Sequence, residues 1–124
     1  MENQWGLLKE VRETNNNNYI EALAEVPADS PWFLGHFPGE PILPGIALVH
    51  LVKQAIHQEA QKKGEQLEMH DLKRVRFTQP VRPGDKLSLN ISAEDAGEER
   101  LFHFKILCGE NIVSSGMIAA KIIM

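Results

Sequence analysis

The apolar residues of this chain are concentrated in one block near its middle. Residues 46–56 are apolar at almost every position, so the segment would be apolar around most of its circumference as a helix. Pro44 stands just before the block, and Gly64 follows the polar residues after it, which is the usual asymmetry of an α-helix. We therefore predict one helix over residues 46 to about 63, with its first turns buried and its polar last turns in water.

Most of the remaining chain has the alternation that is typical of strands. Residues 87–91 alternate apolar and polar side chains, which is the two-residue period of a half-buried strand. Other strands are predicted at residues 5–11, 19–26, around 75–77, 101–108 and 112–123. Residues rich in Asn or Gly predict the turns at 15–18, 83–85, 96–99 and 109–111. A single helix that is apolar all round must be wrapped by other elements, so we predict an α+β fold. In it, a curved antiparallel sheet of five to six strands surrounds one long central helix.

The segment before the helix, residues 27–44, is dense in proline and glycine. Proline fixes φ and biases the residue before it away from helix. We predict an ordered loop with little regular structure. Loops of this length in compact domains are often functional.

Composition narrows the class of protein. The chain has 124 residues, 43% of them apolar, and we expect one domain over residues 1–124. Its net charge of −4 argues against nucleic acid as a partner, because domains that bind nucleic acid usually carry an excess of Lys and Arg. The one cysteine, Cys108, suits a reducing compartment. We find neither the apolar core of a signal peptide nor a run of roughly 18 apolar residues, so we expect a cytoplasmic protein with no membrane partner.

Two segments resemble the signature of a known enzyme family. Residues 35–45 read Gly-His-Phe-Pro-Gly-Glu-Pro-Ile-Leu-Pro-Gly, and residues 76–87 read Arg-Phe-Thr-Gln-Pro-Val-Arg-Pro-Gly-Asp-Lys-Leu. In order and spacing both are similar to the FabZ and FabA 3-hydroxyacyl-[acyl carrier protein] dehydratases. The resemblance implies a hotdog fold, in which a sheet wraps one helix. It also implies homodimers, or assemblies of three dimers, in which two chains build each site.

The activity that the resemblance implies is dehydration. A (3R)-hydroxyacyl thioester carried on acyl carrier protein would become a trans-2-enoyl thioester, in fatty-acid or related lipid or polyene biosynthesis. No cofactor and no metal are expected. The reaction needs a base at C2, donors for the thioester oxygen and an acid at the departing hydroxyl.

Three residues are candidates for these catalytic roles. The resemblance assigns the base to His36, and histidine, with a free pKa of ~6.5, is a competent base at neutral pH. Gly45 stands where the helix begins, so its amide has no partner within the helix and can hold a developing negative charge. The family's acid is a Glu fourteen positions after the His, and this chain has His50 there. Glu40 is an alternative acid.

Other residues are candidates for binding. Phe37, Pro44 and Ile46 flank the catalytic candidates and are expected to contact the substrate. Four cations come close together in an otherwise acidic chain, at Lys73, Arg74, Arg76 and Arg82. They are either a solvated strand face or a docking surface for an acidic carrier protein, since local positive charge steers acidic partners.

Two other functions are compatible with the same residues. A hotdog thioesterase would use an activated water, with His50 as its base, although the Gly-His-Phe-Pro-Gly motif argues against it. A non-catalytic module that binds carrier protein would explain why His50 stands where the family has a carboxylate. Incubation with hydroxyacyl and plain acyl thioesters separates the three, because alkene formation, thiol release and binding without turnover are different outcomes.

Overall fold

The computed structural model describes residues 8–13, 18–29 and 42–123. One helix, α1, packs on a six-stranded antiparallel sheet. The elements in chain order are β1 (Leu8–Glu13), β2 (Tyr19–Glu25), α1 (Gly45–Lys62), β3 (Leu67–Phe77), β4 (Lys86–Ala96), β5 (Glu99–Cys108) and β6 (Asn111–Ile122). The strand order in the sheet is β1-β2-β4-β5-β6-β3, so that β1 and β3 form its two edges. This is the arrangement that was predicted, one helix against one antiparallel sheet.

The helix begins one residue earlier than predicted. Pro44 is extended, with φ −66° and ψ 147°, and α1 starts at the next residue, Gly45. The expected burial of the first turns is confirmed for Ala47, Leu48 and the apolar residues after them, but it is wrong for Ile46, which is 69% exposed. The expectation that the last turns lie in water is right for residues 61–63 but wrong for Glu59, which is only 3% exposed. Glu59 lies one turn after Ala55 and Ile56, both buried, so helical periodicity directs it to the same packed side.

The sheet contributes its inward-facing rows to the core. Leu89 of β4 pairs with Ile106 of β5, and Ile91 pairs with Phe104. All four are at most 2% exposed, and they pack in one apolar cluster with the buried side of α1. The alternation predicted for residues 87–91 is therefore confirmed, with the intervening polar side chains on the outer face of the sheet.

Some strand boundaries differ from the prediction. β3 begins at Leu67, well before the predicted residues 75–77. The prediction missed the first half of this strand because its residues are largely polar and exposed at the edge of the sheet. β1 begins at Leu8, while residues 5–7 and 14–17 lie outside the described part of the chain. The turns at Gly97 and Gly109 are confirmed, each with a positive φ, 68° and 63°. No helix in the described ranges is long and apolar enough to span a bilayer.

Candidate active site

A groove of about 530 Å³ lies at the N-terminal end of α1. Its walls are residues 42–48 on the helix side and residues 77–81, which follow β3. Hydrogen bonds fix both walls. The Leu43 amide donates to the Val81 carbonyl (2.7 Å), and the Thr78 amide donates to the Val113 carbonyl (2.9 Å). The Thr78 hydroxyl also donates to the Ile112 carbonyl (2.7 Å), so the wall after β3 is held to β6 by main chain and side chain.

Gly45 and the Phe77 ring lie against each other at the floor of the groove. A Cβ atom at Gly45 would lie 2.7 Å from Phe77 Cζ and 2.9 Å from both Cε atoms. Non-bonded carbon atoms prefer separations of about 3.5–4.0 Å, so glycine is the one residue that fits beneath the ring as it stands. Phe77 is 52% exposed and forms part of the groove surface. The sequence indicated Gly45 but not this neighbour, whose position depends on β3 ending beside the helix.

The start of α1 is suited to hold negative charge. No side chain caps the helix, and its first turn carries no acidic residue. The Ala47 amide donates to the Pro44 carbonyl (2.9 Å), while the amides of Gly45 and Ile46 precede the first intrahelical bond. Because the helix dipole is positive at this end, an oxyanion entering the groove would meet donors and a favourable field.

The structure brings together only some of the predicted site residues. Pro44, Gly45 and Ile46 line the groove, and Ile46 is 69% exposed. His50 is half-buried in the second turn of α1, about 7.5 Å along the helix axis from Gly45. It does not line the groove formed by this chain, but it shares a helix side with Ile46 four residues before it.

Three of the predicted residues cannot be described. His36 and Phe37, the predicted base and a substrate contact, lie outside the described residues. The alternative acid Glu40 does so as well. Their roles therefore rest on the sequence motif.

The four predicted docking cations are divided between different surfaces. Arg82 is exposed on the turn beyond the groove, where its amide donates to the Asp85 carboxylate (2.9 Å). Arg74 and Arg76 line a separate depression on the sheet. Lys73 is exposed on β3 and lines neither cavity. Arg82 lies in the connection between β3 and β4, whereas the other three cations lie on β3, whose register with β6 shifts between Lys73 and Arg76.

A smaller cavity of about 210 Å³ lies at the other end of α1, beside Glu59 and Arg100. Arg100 donates to Glu65 (3.0 Å) and Asp95 (2.9 Å). Burial alone would lower the pKa of the Arg100 guanidinium, but the bonds to these two carboxylates outweigh burial and raise its pKa. These contacts tie β5 to the loop after the helix. Across the described ranges, no three His, Cys, Asp or Glu side chains are grouped so that they could hold a metal ion.

Comparison with known proteins adds the family to this geometry. A family model of ApeI-like proteins, described as ApeI dehydratase, matches residues 11–117. The FabZ 3-hydroxyacyl-[acyl-carrier-protein] dehydratase of Erwinia tasmaniensis is 34% identical over 123 residues, which are 93% of this chain and 82% of the relative. FabZ of Haemophilus influenzae is 33% identical over 90 residues, 68% of this chain and 61% of the relative, so this match spans less than two thirds of that protein.

The fold itself is also found among solved structures. The dehydratase heterocomplex ApeI:P from Xenorhabdus doucetiae matches with a TM-score of 0.72 at 22% identity, covering 94% of this chain and 97% of that one. At this identity the likeness concerns the fold. The predicted hotdog fold is thereby confirmed.

Proposed function

Because the match over residues 11–117 shows that the chain belongs to the ApeI-like dehydratase family, we propose that it dehydrates (3R)-hydroxyacyl thioesters carried on acyl carrier protein. The product is the trans-2-enoyl thioester, in fatty-acid or related lipid or polyene biosynthesis. The observation that carries the proposal is that α1 begins at Gly45 on the floor of an open groove. A cytoplasmic location is part of the proposal, and it is supported by the single cysteine.

The proposed reaction divides the chemistry among three groups. The His36 imidazole removes a proton from C2, and the electron pair moves toward the thioester carbonyl. The Gly45 amide donates a hydrogen bond to the resulting oxyanion, with the helix dipole adding to it. When the electron pair returns to form the C2–C3 double bond, the C3–O bond breaks. His50 donates a proton to the departing hydroxide, and water leaves.

The surface of the groove suits a thioester with an apolar chain. Ile46 and Phe77 expose 69% and 52% of their surface beside the helix start. Pro44 completes this apolar surface, and Phe37, next to the proposed base in the sequence, adds to the substrate contacts in our proposal. Burying such apolar area stabilises a complex by about 25 cal/mol per Å², which would hold the acyl chain without fixing its length.

Carrier protein would be attracted by the exposed cations of β3 and of the turn that follows it. We assign this steering to Lys73, Arg74, Arg76 and Arg82, because a local excess of positive charge raises the association rate of an acidic partner. Arg82 lies on the turn next to the groove wall at Val81, and it is exposed. It is therefore the cation best situated to meet a carrier while the thioester enters.

The proposed functional unit is a homodimer, alone or in a set of three dimers. Among the described elements β3 pairs only with β6, which makes it an edge strand, and Leu72 on it is 45% exposed. The helix side that bears Ile46 and His50 is also incompletely covered by its own chain. A second subunit would cover it and bring its His36 toward His50. A monomer in sedimentation experiments at micromolar concentration that is still active would refute the shared site.

The activity is tested with matched substrates. Purified protein is given 3-hydroxyacyl and plain acyl thioesters of carrier protein, and both alkene and free thiol are measured. Alkene formation supports dehydration, while thiol release from the plain acyl thioester supports the hydrolase alternative. Binding without either product supports the non-catalytic module.

Variants at His50 then test the proposed acid. His50→Ala should lower turnover by about 10²–10⁴ with little change in thioester binding, since a general acid acts mainly in the transition state. His50→Glu restores the family's residue and should keep activity. Full activity in His50→Ala would show that another group is the acid. If His50→Glu dehydrates the substrate and the natural chain does not, then the histidine at position 50 has switched off dehydration in the natural chain.

A further inference from the structure

A second depression, of about 560 Å³, lies on the outer face of the sheet. Its lining is rich in cations and hydrogen-bond donors, which include Arg74, Arg76, His103, Lys105 and Ser92. No role was predicted for His103 or Lys105 from the sequence. The depression differs in chemistry from the groove at the helix start, which is mainly apolar.

The strand register assembles this surface from distant parts of the chain. In one row across the sheet, Ser92 pairs with His103, which pairs with Met117. In the next row Lys105 pairs with Ser115, which pairs with Arg76. Cross-strand neighbours lie about 4.5–5.5 Å apart at Cβ, so the cationic side chains share one small area.

Arg74 joins the cluster through an irregularity in β3. Between Lys73 and Arg76 the register with β6 shifts, and Arg74 has a φ of +54°. This left-handed conformation is strained for residues with a side chain and favours glycine in such bulges. The arginine at this position therefore adopts a strained backbone conformation, and its side chain lines the depression. Strain of this kind often marks a functional position.

The cations lack acidic neighbours. Among the side chains that the structure describes, no carboxylate lies within ion-pair distance of Arg74, Arg76 or Lys105. His103 has one, because its Nε2 is 4.0 Å from Glu94 Oε1. In a chain with a net charge of −4, three cations gathered without counter-charge make a local positive field that a bound anion would neutralise.

We propose that this depression binds a small phosphate-bearing molecule with two or more negative charges. Guanidinium groups offer paired donors that match phosphate oxygens, and Lys105 and Ser92 add single donors around them. The volume falls within the usual range of small-molecule sites, about 300–1,000 Å³. A concave seat of this size favours a compact anion over the surface of a protein partner.

The site is separate from the proposed catalytic groove. Arg76 lines the depression, while the next residue, Phe77, lines the groove. Consecutive strand residues point to opposite faces, so one thioester cannot occupy both. Pairing of β3 with a second subunit would use its edge main-chain groups and would leave its outward side chains exposed. The inference therefore goes beyond the proposed reaction and does not depend on it.

Calorimetric titration tests the site with inorganic phosphate, inorganic pyrophosphate and adenosine diphosphate. The natural chain should bind pyrophosphate with a dissociation constant below about 1 mM at about 0.15 M salt. Arg76→Gln and Lys105→Gln should each weaken binding about tenfold or more, because each loses a charge-assisted hydrogen bond. Lys121→Gln is the matched control, since it removes the same charge from an exposed position on β6 outside the depression. Tighter binding of adenosine diphosphate than of pyrophosphate would identify a nucleotide as the ligand, and the reverse order a simple phosphate anion.

Arg74→Gly separates a binding role from a structural one. Glycine relieves the left-handed strain, so the midpoint of thermal unfolding should stay or rise while pyrophosphate affinity falls. Unchanged affinity in this variant and in Arg76→Gln would overturn the proposal. Equal weakening by Lys121→Gln would do so too, because it would reduce the effect to overall charge. Binding of acidic carrier protein at this surface without any binding of the three anions would also reject it and reassign the surface to protein docking.

Discussion

Gly45→Ala is the substitution that best separates the fold from the chemistry at the groove. The added methyl would lie 2.7–2.9 Å from the Phe77 ring, whereas carbon atoms rest at about 3.5–4.0 Å, so the ring must retreat by roughly 1 Å. The ring is the far end of a side chain that is 52% exposed, and it can move into the groove. The structural cost should therefore be small, while the route to the helix amide is obstructed.

The expected magnitudes follow from two opposing terms. Overpacking costs about 1–3 kcal/mol, and replacing glycine by alanine at a compatible backbone position returns about 0.4–1 kcal/mol. Urea denaturation should thus show a net loss of about 0–2.6 kcal/mol. Dehydration should fall much further, by about 10²–10³, which is the usual effect of losing one oxyanion donor. The rate is followed by the ultraviolet absorbance of the enoyl product from a small 3-hydroxyacyl thioester.

The double variant Gly45→Ala with Phe77→Ala decides why glycine is needed. Removing the ring abolishes the clash, so the stability lost through overpacking should return. If the methyl itself keeps the thioester from the amide, the double variant stays far slower than Phe77→Ala alone, which is the control because it loses the same apolar contact with the substrate but keeps Gly45. Recovery of full activity in the double variant would refute the reasoning. It would mean that glycine at this position serves packing beneath Phe77 and has no part in binding the oxyanion.

Two further predictions concern stability. Gly116→Ala should lower the free energy of unfolding in urea by about 1–3 kcal/mol, because its methyl would lie 3.0 Å from the Val75 Cα, a backbone atom that cannot rotate away. Turnover per folded molecule should be unchanged. A loss of stability smaller than that of Gly45→Ala would contradict the prediction. Arg100→Met should cost about 1–3 kcal/mol, since it removes a charged hydrogen bond at 3.0 Å to the partly buried Glu65. Asp95→Asn, at a side chain that is 70% exposed, should cost about 0–1 kcal/mol, and an equal effect would contradict the assignment of the main contribution to Glu65. Because the Arg100 pKa is raised, the contribution of this residue to the stability of the fold is fully present below the ordinary arginine pKa and is lost only as pH rises through the raised value. Thermal melts at neutral and at mildly alkaline pH should therefore show the same difference in stability between Arg100→Met and the natural chain.

The fold could be predicted where hydrophobic period and turn residues agreed. The block at residues 46–56 and the alternation at residues 87–91 each report burial directly, and the structure buries the apolar residues of both except Ile46, which is 69% exposed. β3 was harder to predict because an edge strand keeps polar side chains on exposed surfaces, which hides its alternation. Glu59 shows the converse, since a charged residue at a buried helical position cannot be distinguished by composition from its exposed neighbours.

The candidate site was predictable to the extent that it is local in sequence. Gly45 and its flanking residues could be found because a helix start and its free amides follow from a proline and the apolar block after it. Phe77 and the cluster of His103 with Arg76 could not, because their positions depend on strand register. A shift of one residue in the pairing of β5 with β6 would move these side chains to the other face of the sheet. Alternation within β5 could have suggested that His103 and Lys105 share a face, but not which cations of β3 lie near them.

In the proposed reaction, a main-chain group binds the oxyanion and side chains transfer the protons. This difference explains why family membership specifies the fold more firmly than the reaction. In the proposed reaction the oxyanion donor is the main-chain amide at the start of α1, and glycine at this position leaves that amide accessible. That donor serves every reaction in which a thioester carbonyl gains negative charge, whether a proton leaves C2 or water attacks C1. The choice between those reactions must therefore depend on side chains, which makes positions 36 and 50 decisive. In the proposed reaction His50 stands where the family resemblance implies a carboxylate, so it would change the charge next to the reacting atoms while the donor, the groove and the helix stay the same. For this reason, the ratio of alkene to free thiol formed from the two thioesters would test the role of residue 50 more directly than it tests the fold.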